Sequence, residues 1–263
     1  MRTLLAITDL TRMQEGRVCV AGYDKNGKCI YPVLPHPGLH ERSLYSRGRP
    51  VVFPFAIVAL DLLQALSQPP HTEDHSFEPT SIRLIDQLDD KHKRAELART
   101  LFPTVKDIFE VPILTNPGHY VLDGQGPRSL GTIRPRVVIR ADYRCPPDGK
   151  WEYHLIFVDG GETTFRLTVT DLTWRYYNDR EQNAGRTPEQ ISQDLTSRLR
   201  LRRSEVYLRV GLARGWKKFP GRCYLQITGV YTFPDYLNGL TFADFAPGPV
   251  AAEAGARHLV GSP

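Results

Sequence analysis

In Arg134-Pro135-Arg136-Val137-Val138-Ile139-Arg140-Ala141-Asp142-Tyr143-Arg144, charged and apolar residues alternate closely enough to spell an extended strand. Side chains alternate across a strand with a period of two. This reading puts Arg134, Arg136, Arg140 and Arg144 on one face and Val137, Ile139, Ala141 and Tyr143 on the other. A basic stripe on an apolar back suits a strand that buries one face and follows a phosphate backbone with the other. The guanidinium group is permanently charged, and its planar fork matches phosphate oxygens. A solvated outer face is the plainer alternative, because charged residues mostly sit on surfaces.

Four more strands are expected around this one, at 151–158, 164–174, 206–212 and 222–233. In 206–212, Val206, Leu208, Val210 and Leu212 share a face opposite Tyr207 and Arg209. In 222–233, Cys223, Leu225, Ile227, Tyr231 and Phe233 lie opposite Arg222, Tyr224, Gln226 and Thr228. A helix over 187–200 interrupts the series. Thr187 is its N-cap, Pro188 its first residue and Gln190 the capping-box partner, and Ile191, Leu195 and Leu199 recur four apart. Five strands with one inserted helix predict a small barrel.

Upstream, 4–7, 17–23 and 29–34 read as strands, with a hairpin turn at Lys25-Asn26-Gly27-Lys28. The apolar run 51–66 starts extended between Pro50 and Pro54, and a helix is expected over 83–101, ended by Pro103. Turn-forming residues cluster at 113–128, which predicts two domains, 1–115 and 116–245. The small-residue tail 246–263 is expected to be flexible. The predicted fold class is mostly β with inserted helices.

The 34 Lys and Arg residues exceed the 29 Asp and Glu by only five, so placement counts for more than the total. Arginine concentrates in 134–144, 198–203 and 209–218 of the second half. No apolar run approaches the roughly 18 residues that span a bilayer, which predicts a soluble, cytoplasmic chain with no membrane partner. Cys19, Cys29, Cys145 and Cys223 are too dispersed for a zinc half-site and read as small core residues, so neither metal nor cofactor is expected. His71-Thr72-Glu73-Asp74-His75 is the one tempting metal cluster, but Pro69 and Pro70 favour an extended loop over the helix that would join the two imidazoles. Neither a nucleophile-elbow serine nor a phosphate-cradling Gly-rich loop occurs, and no catalytic residue is assigned.

Several strings resemble the dual OB domain-containing proteins, a bacterial family of conflict and defence neighbourhoods. They are Thr3-Leu4-Leu5-Ala6-Ile7-Thr8, Gly16-Arg17-Val18-Cys19-Val20-Ala21-Gly22-Tyr23-Asp24, Tyr31-Pro32-Val33 and Pro70-His71-Thr72-Glu73-Asp74. They cover the first half almost alone. The resemblance implies two OB-like barrels, five-stranded folds whose exposed strand face and loops take oligonucleotides or oligosaccharides. The functional expectation is a non-enzymatic protein that binds single-stranded DNA or RNA, a recognition component of a defence system. Phosphate contacts are expected from Arg134, Arg136, Arg140, Arg144, Arg200, Arg202, Arg203 and Arg209, with Tyr207, Trp216 and Tyr224 as stacking groups. The alternatives are an adaptor for other defence proteins, or a metal-dependent enzyme built on the His71–His75 loop.

Overall fold

The computed structural model describes residues 1–146, 149–215 and 218–245. The chain opens with β1 (Arg2–Arg12), β2 (Arg17–Tyr23) and β3 (Cys29–Val33), and after a long loop adds β4 (Ala56–Ala65) and β5 (Asp74–Gln87). β1 serves two neighbours. Residues 2–6 pair with β4 and residues 6–12 with β2, all antiparallel. β2 pairs with β3, β3 runs parallel to β5, and β5 returns antiparallel to β4. The ring β1-β2-β3-β5-β4-β1 is therefore closed, which leaves no strand edge open to another chain.

Ala6, where β1 changes partners, pairs with both Ile57 and Tyr23. A Cβ on Gly22 would come within 2.4 Å of the Ala6 carbonyl oxygen, so only glycine fits this crossing. Thr8 is the extra residue of a bulge between Ile7 and Asp9. The bulge reverses the inward face: Leu5, Ile7 and Leu10 enter the first core, and Asp9 is turned toward the second half of the chain.

α1 (Asp90–Ala98) follows, capped by Asp89, whose carboxylate accepts from His92 N at 2.9 Å. The expected 83–101 helix is thus a strand as far as Gln87 and a helix only from Asp90. Leu84 and Ile85, part of the supposed apolar stripe and its neighbour, are 40% and 54% exposed on β5 and pack against no helical core. Then come β6 (Leu101–Phe102), α2 (Val105–Phe109), β7 (His119–Leu122), β8 (Leu130–Ile133), β9 (Val137–Arg144), β10 (Glu152–Val158) and β11 (Thr164–Val169). α3 (Leu172–Asn183), α4 (Pro188–Leu199), β12 (Glu205–Leu212) and β13 (Arg222–Phe233) complete the fold.

The second sheet repeats the strand order of the first. β9, β10 and β11 form an antiparallel meander, β11 runs parallel to β13, and β13 pairs with β12. The 130–144 segment behaves as β1 does, pairing with β12 through β8 and with β10 through β9. Both halves are OB-like. In the second, the gap beside β9 is filled by α4: Thr196 and Ser192 hydroxyls accept from Ala141 N and Tyr143 N at 3.0 and 2.9 Å. Those two N–H groups would otherwise form an unpaired edge.

α4 matches its sequence signature, with the capping box formed and Ile191, Leu195 and Leu199 buried. Each such side chain contributes about 1.5–3 kcal/mol by leaving water. The expected strand 164–174 stops at Val169, because the Asp171 carboxylate accepts from Thr173 N and Trp174 N and starts α3. β6 pairs with β8, α2 sends Val105, Ile108 and Phe109 into the second core, and β7 pairs with β13. The expected division at residues 115 and 116 therefore falls inside a segment built onto the second barrel, and the first barrel ends at Gln87. Among the cysteines, Cys223 is buried in the apolar core, Cys19 and Cys29 are half-buried and Cys145 is exposed. The 246–263 tail lies outside the described residues.

Candidate nucleic-acid interface

The faces expected of β12 do not survive assembly. Tyr207 and Arg209 point away from the second core as their spacing requires, but that side is covered, leaving Tyr207 4% and Arg209 0% exposed. The Arg209 guanidinium meets Asp9 of the first barrel at 2.8 Å and donates to Tyr23 Oη at 2.7 Å and Thr132 Oγ1 at 2.9 Å. Thr8 Oγ1 and Thr228 Oγ1 donate to the same carboxylate at 2.8 and 2.5 Å. Burial opposes the charge on Arg209, yet the adjacent Asp9 carboxylate holds its pKa well above the ordinary value. Arg209 is a buried tie between barrels with no exposed surface to offer a phosphate. Tyr207 donates to Glu205 at 3.1 Å and is equally unavailable for stacking.

β13 shows a similar reversal. Thr228 is an extra residue between Ile227, opposite Val210, and Gly229, opposite Arg209. Cys223, Leu225 and Ile227 face the second core as expected, but Val230 takes the next inward place. Tyr231 leaves that face and donates its hydroxyl to Thr8 O at 2.8 Å, and Phe233 joins Phe55, Leu97 and Tyr207 in a separate cluster between the barrels.

On β9 a bulge alters the stripe. Val138 lies opposite Phe157 and Arg140 opposite Ile156, so Ile139 is the extra residue. Val138, Ala141 and Tyr143 are buried, whereas Val137 and Ile139, expected inside, are each 42% exposed. Arg140 and Arg144 do face out, but carboxylates answer them. Arg140 pairs with Asp142 at 3.3 Å, Arg144 with Glu152 at 2.8 Å, and Arg136 with Glu162. Arg166 on β11, outside the 134–144 stripe, lies 3.6 Å from Asp142 and 3.9 Å from Glu152. His154 sits inside this lattice, its pKa lowered to about 4 by burial and by Arg166.

The remaining arginines lie toward one end of the second barrel. Ser192 meets Tyr143 and Thr196 meets Ala141, so α4 runs antiparallel to β9. Four helical residues advance about 6 Å, close to two strand residues. The helix end at Arg200 therefore lies over the start of β9, near Ile139. Arg202 and Arg203 follow at once, all three exposed. The Arg134 guanidinium lies 5.8 Å from the Tyr207 ring, and Arg134 and Arg94 both act on the Tyr207 hydroxyl. Arg94 also reaches Glu205 at 3.6 Å. Among the described residues, Arg134, Arg200, Arg202 and Arg203 have no ion-pair partner. Arg94 was missed because it sits on a helix far away in sequence, and only the fold brings it here.

Tyr224 is elsewhere. β13 pairs Phe233 with Glu205 and Leu225 with Leu212, placing Tyr224 at the opposite end of the strand, about 25 Å of chain away. It is half-buried against Tyr120 and Phe219, with ring centroids at 5.5 and 6.2 Å. Trp216 lies outside the described residues.

The His71–His75 loop also joins the barrels. Glu73 accepts from Ser129 N at 2.8 Å and Ser129 Oγ at 2.9 Å, Asp74 pairs with Arg214 at 2.8 Å, and Thr72 donates to Pro127 O at 2.6 Å. His75 Nδ1 lies 2.8 Å from Glu73 O, and burial lowers the pKa of His71 to about 4. Thr72, Glu73 and Asp74 are committed to the barrel contact, and among the described residues no three His, Cys, Asp or Glu are grouped to hold a metal. Nor is any helix among them long and apolar enough to cross a membrane. Comparison with protein-family models and with curated proteins finds no match.

Proposed function

We propose that this chain binds single-stranded nucleic acid at the end of the second barrel where Arg94, Arg134, Arg136, Arg200, Arg202 and Arg203 gather. One observation supports the reading: four of these arginines, from two separate stretches of sequence, are exposed toward the same end of the second barrel with no ion-pair partner among the described residues. Phosphates supply the missing charge, and Arg offers them a bidentate fork. Val137, Ile139 and Leu201, exposed at 42%, 42% and 55%, give apolar surface beside the arginines against which unstacked bases pack. A duplex hides its base faces, so the site favours single strands. The OB-like barrels agree with this reading, although fold alone does not assign function. The likeness of the first-half strings to dual OB domain-containing proteins supports a recognition role in a prokaryotic defence assembly.

Anisotropy titrations of labelled single-stranded DNA, single-stranded RNA and duplex DNA at several salt concentrations test the proposal. Single strands are expected to bind more tightly than the duplex, with affinity falling linearly in log salt by about 0.7 per phosphate contact. Affinity no greater than that of an equally basic control protein would refute it and favour the protein adaptor.

A further inference from the structure

A cavity of about 460 Å³ lies at the seam between the barrels, closed on one side by the chain that follows β13. Packed protein interiors leave few voids larger than a water molecule, whereas sites for small ligands run about 300–1,000 Å³. Six aromatic residues line it: Phe53 and Phe55 before β4, Tyr231 and Phe233 on β13, and Tyr236 and Phe242 beyond it. Two cations belong to the same wall. Arg49 is exposed and has no ion-pair partner among the described residues, and the Lys93 ammonium, paired with Asp90 at 2.9 Å, lies 5.8 Å from the Phe55 ring. Asp235 supplies a carboxylate acceptor at the rim.

We infer that this cavity binds one nucleotide, its base among the aromatic rings and its phosphate toward Arg49 and Lys93. Flat π-systems pack in offset or tilted arrangements against such rings, as Phe55 and Tyr231 already do with centroids at 4.5 Å. An exocyclic amino group of the base donates to Asp235, and the phosphate completes the charge of Arg49. The site is separate from the arginine cluster but adjoins it: Phe233 lines the cavity and also carries the Arg94 guanidinium 4.4 Å from its ring centre. The nucleotide therefore comes from one of two sources, a free nucleoside monophosphate or one residue of a bound strand.

Calorimetric titration of the full chain with AMP, GMP, CMP and UMP, and with adenosine as the phosphate-free control, tests the inference. At least one monophosphate is expected to bind, and AMP about tenfold more tightly than adenosine, the scale of one charge-assisted contact. The Arg49→Gln/Lys93→Gln variant should lose that tenfold difference. Leu84→Trp, which fills the cavity from a side chain already 40% exposed, should abolish binding while leaving the melting temperature unchanged. Absence of binding by all four monophosphates at millimolar concentration, or undiminished binding by Leu84→Trp, overturns the inference. An oligonucleotide that displaces the bound monophosphate identifies the strand as the source, and simultaneous binding of both identifies the free nucleotide. The separate oligonucleotide titration of the arginine cluster is unaffected by any of these outcomes.

Discussion

Replacing Asp9 with Ala leaves the Arg209 guanidinium, fully enclosed, with only the neutral acceptors Tyr23 Oη and Thr132 Oγ1. It also removes the acceptor that Thr8 and Thr228 share. Truncating one partner of a buried ion pair costs about 3–5 kcal/mol, because the other charge stays desolvated and unpaired. That is a large part of the roughly 5–15 kcal/mol that holds a domain folded. With a urea slope of about 3 kcal/mol/M, the unfolding midpoint should fall by about 1–1.7 M. Asp9 and Arg209 come from different barrels, so the loss should also uncouple them, and fluorescence and far-UV dichroism should cease to report one transition. The Asp9→Leu/Arg209→Met double variant removes both charges and should recover most of the loss, since an apolar pair of similar volume is often neutral or better. A midpoint shift under about 0.3 M for Asp9→Ala, or a double variant as unstable as the single one, would refute the assignment of this pair as a tie between barrels.

Three other outcomes follow from the same contacts. His71 and His154 have folded pKa values near 4, lowered first by burial, while the unfolded chain protonates near 6.5. At these two sites the unfolded state binds more protons between these values, so each histidine should take away about 1–3 kcal/mol as pH drops from 6.5 to 4, against the opposite contribution of Asp171, whose pKa burial raises to about 7. Urea midpoints at pH 7, 5.5 and 4.5 check this, and His71→Gln should flatten the slope. Gly22→Ala sets a methyl group against the Ala6 carbonyl and should destabilise the first barrel by about 1–3 kcal/mol, measured as a lowered midpoint. Thr187→Ala removes the capping contact to Gln190 N and should cost about 1 kcal/mol, seen as faster amide exchange in α4.

What could be read in the sequence is what local chemistry dictates. α4 was legible because its cap, proline and four-residue spacing all act within one helix. Strand positions were legible where apolar residues alternate, as in β12. Faces were lost where one extra residue reverses the alternation, at Ile139 and Thr228, since period-two reasoning carries no sign of a bulge. The burial of Arg209 was illegible for another reason. Its outward direction was right, but the surface it faces is the first barrel, a contact between residues 200 positions apart. The candidate site divides in the same way. Arg134 and the Arg200–Arg203 run stood out in sequence and lie toward the same end of the second barrel, Arg140 and Arg144 are answered by carboxylates, and Arg94 joins only through the fold.

The most direct measurement is the salt dependence of single-strand binding by the Arg134→Gln/Arg200→Gln/Arg202→Gln/Arg203→Gln variant. Loss of four phosphate contacts should flatten the slope of log affinity against log salt by about 3, equally for every oligonucleotide sequence. Arg140→Gln/Arg144→Gln should change it less, because Asp142 and Glu152 already neutralise those groups. A folded quadruple variant with the wild-type slope contradicts the account.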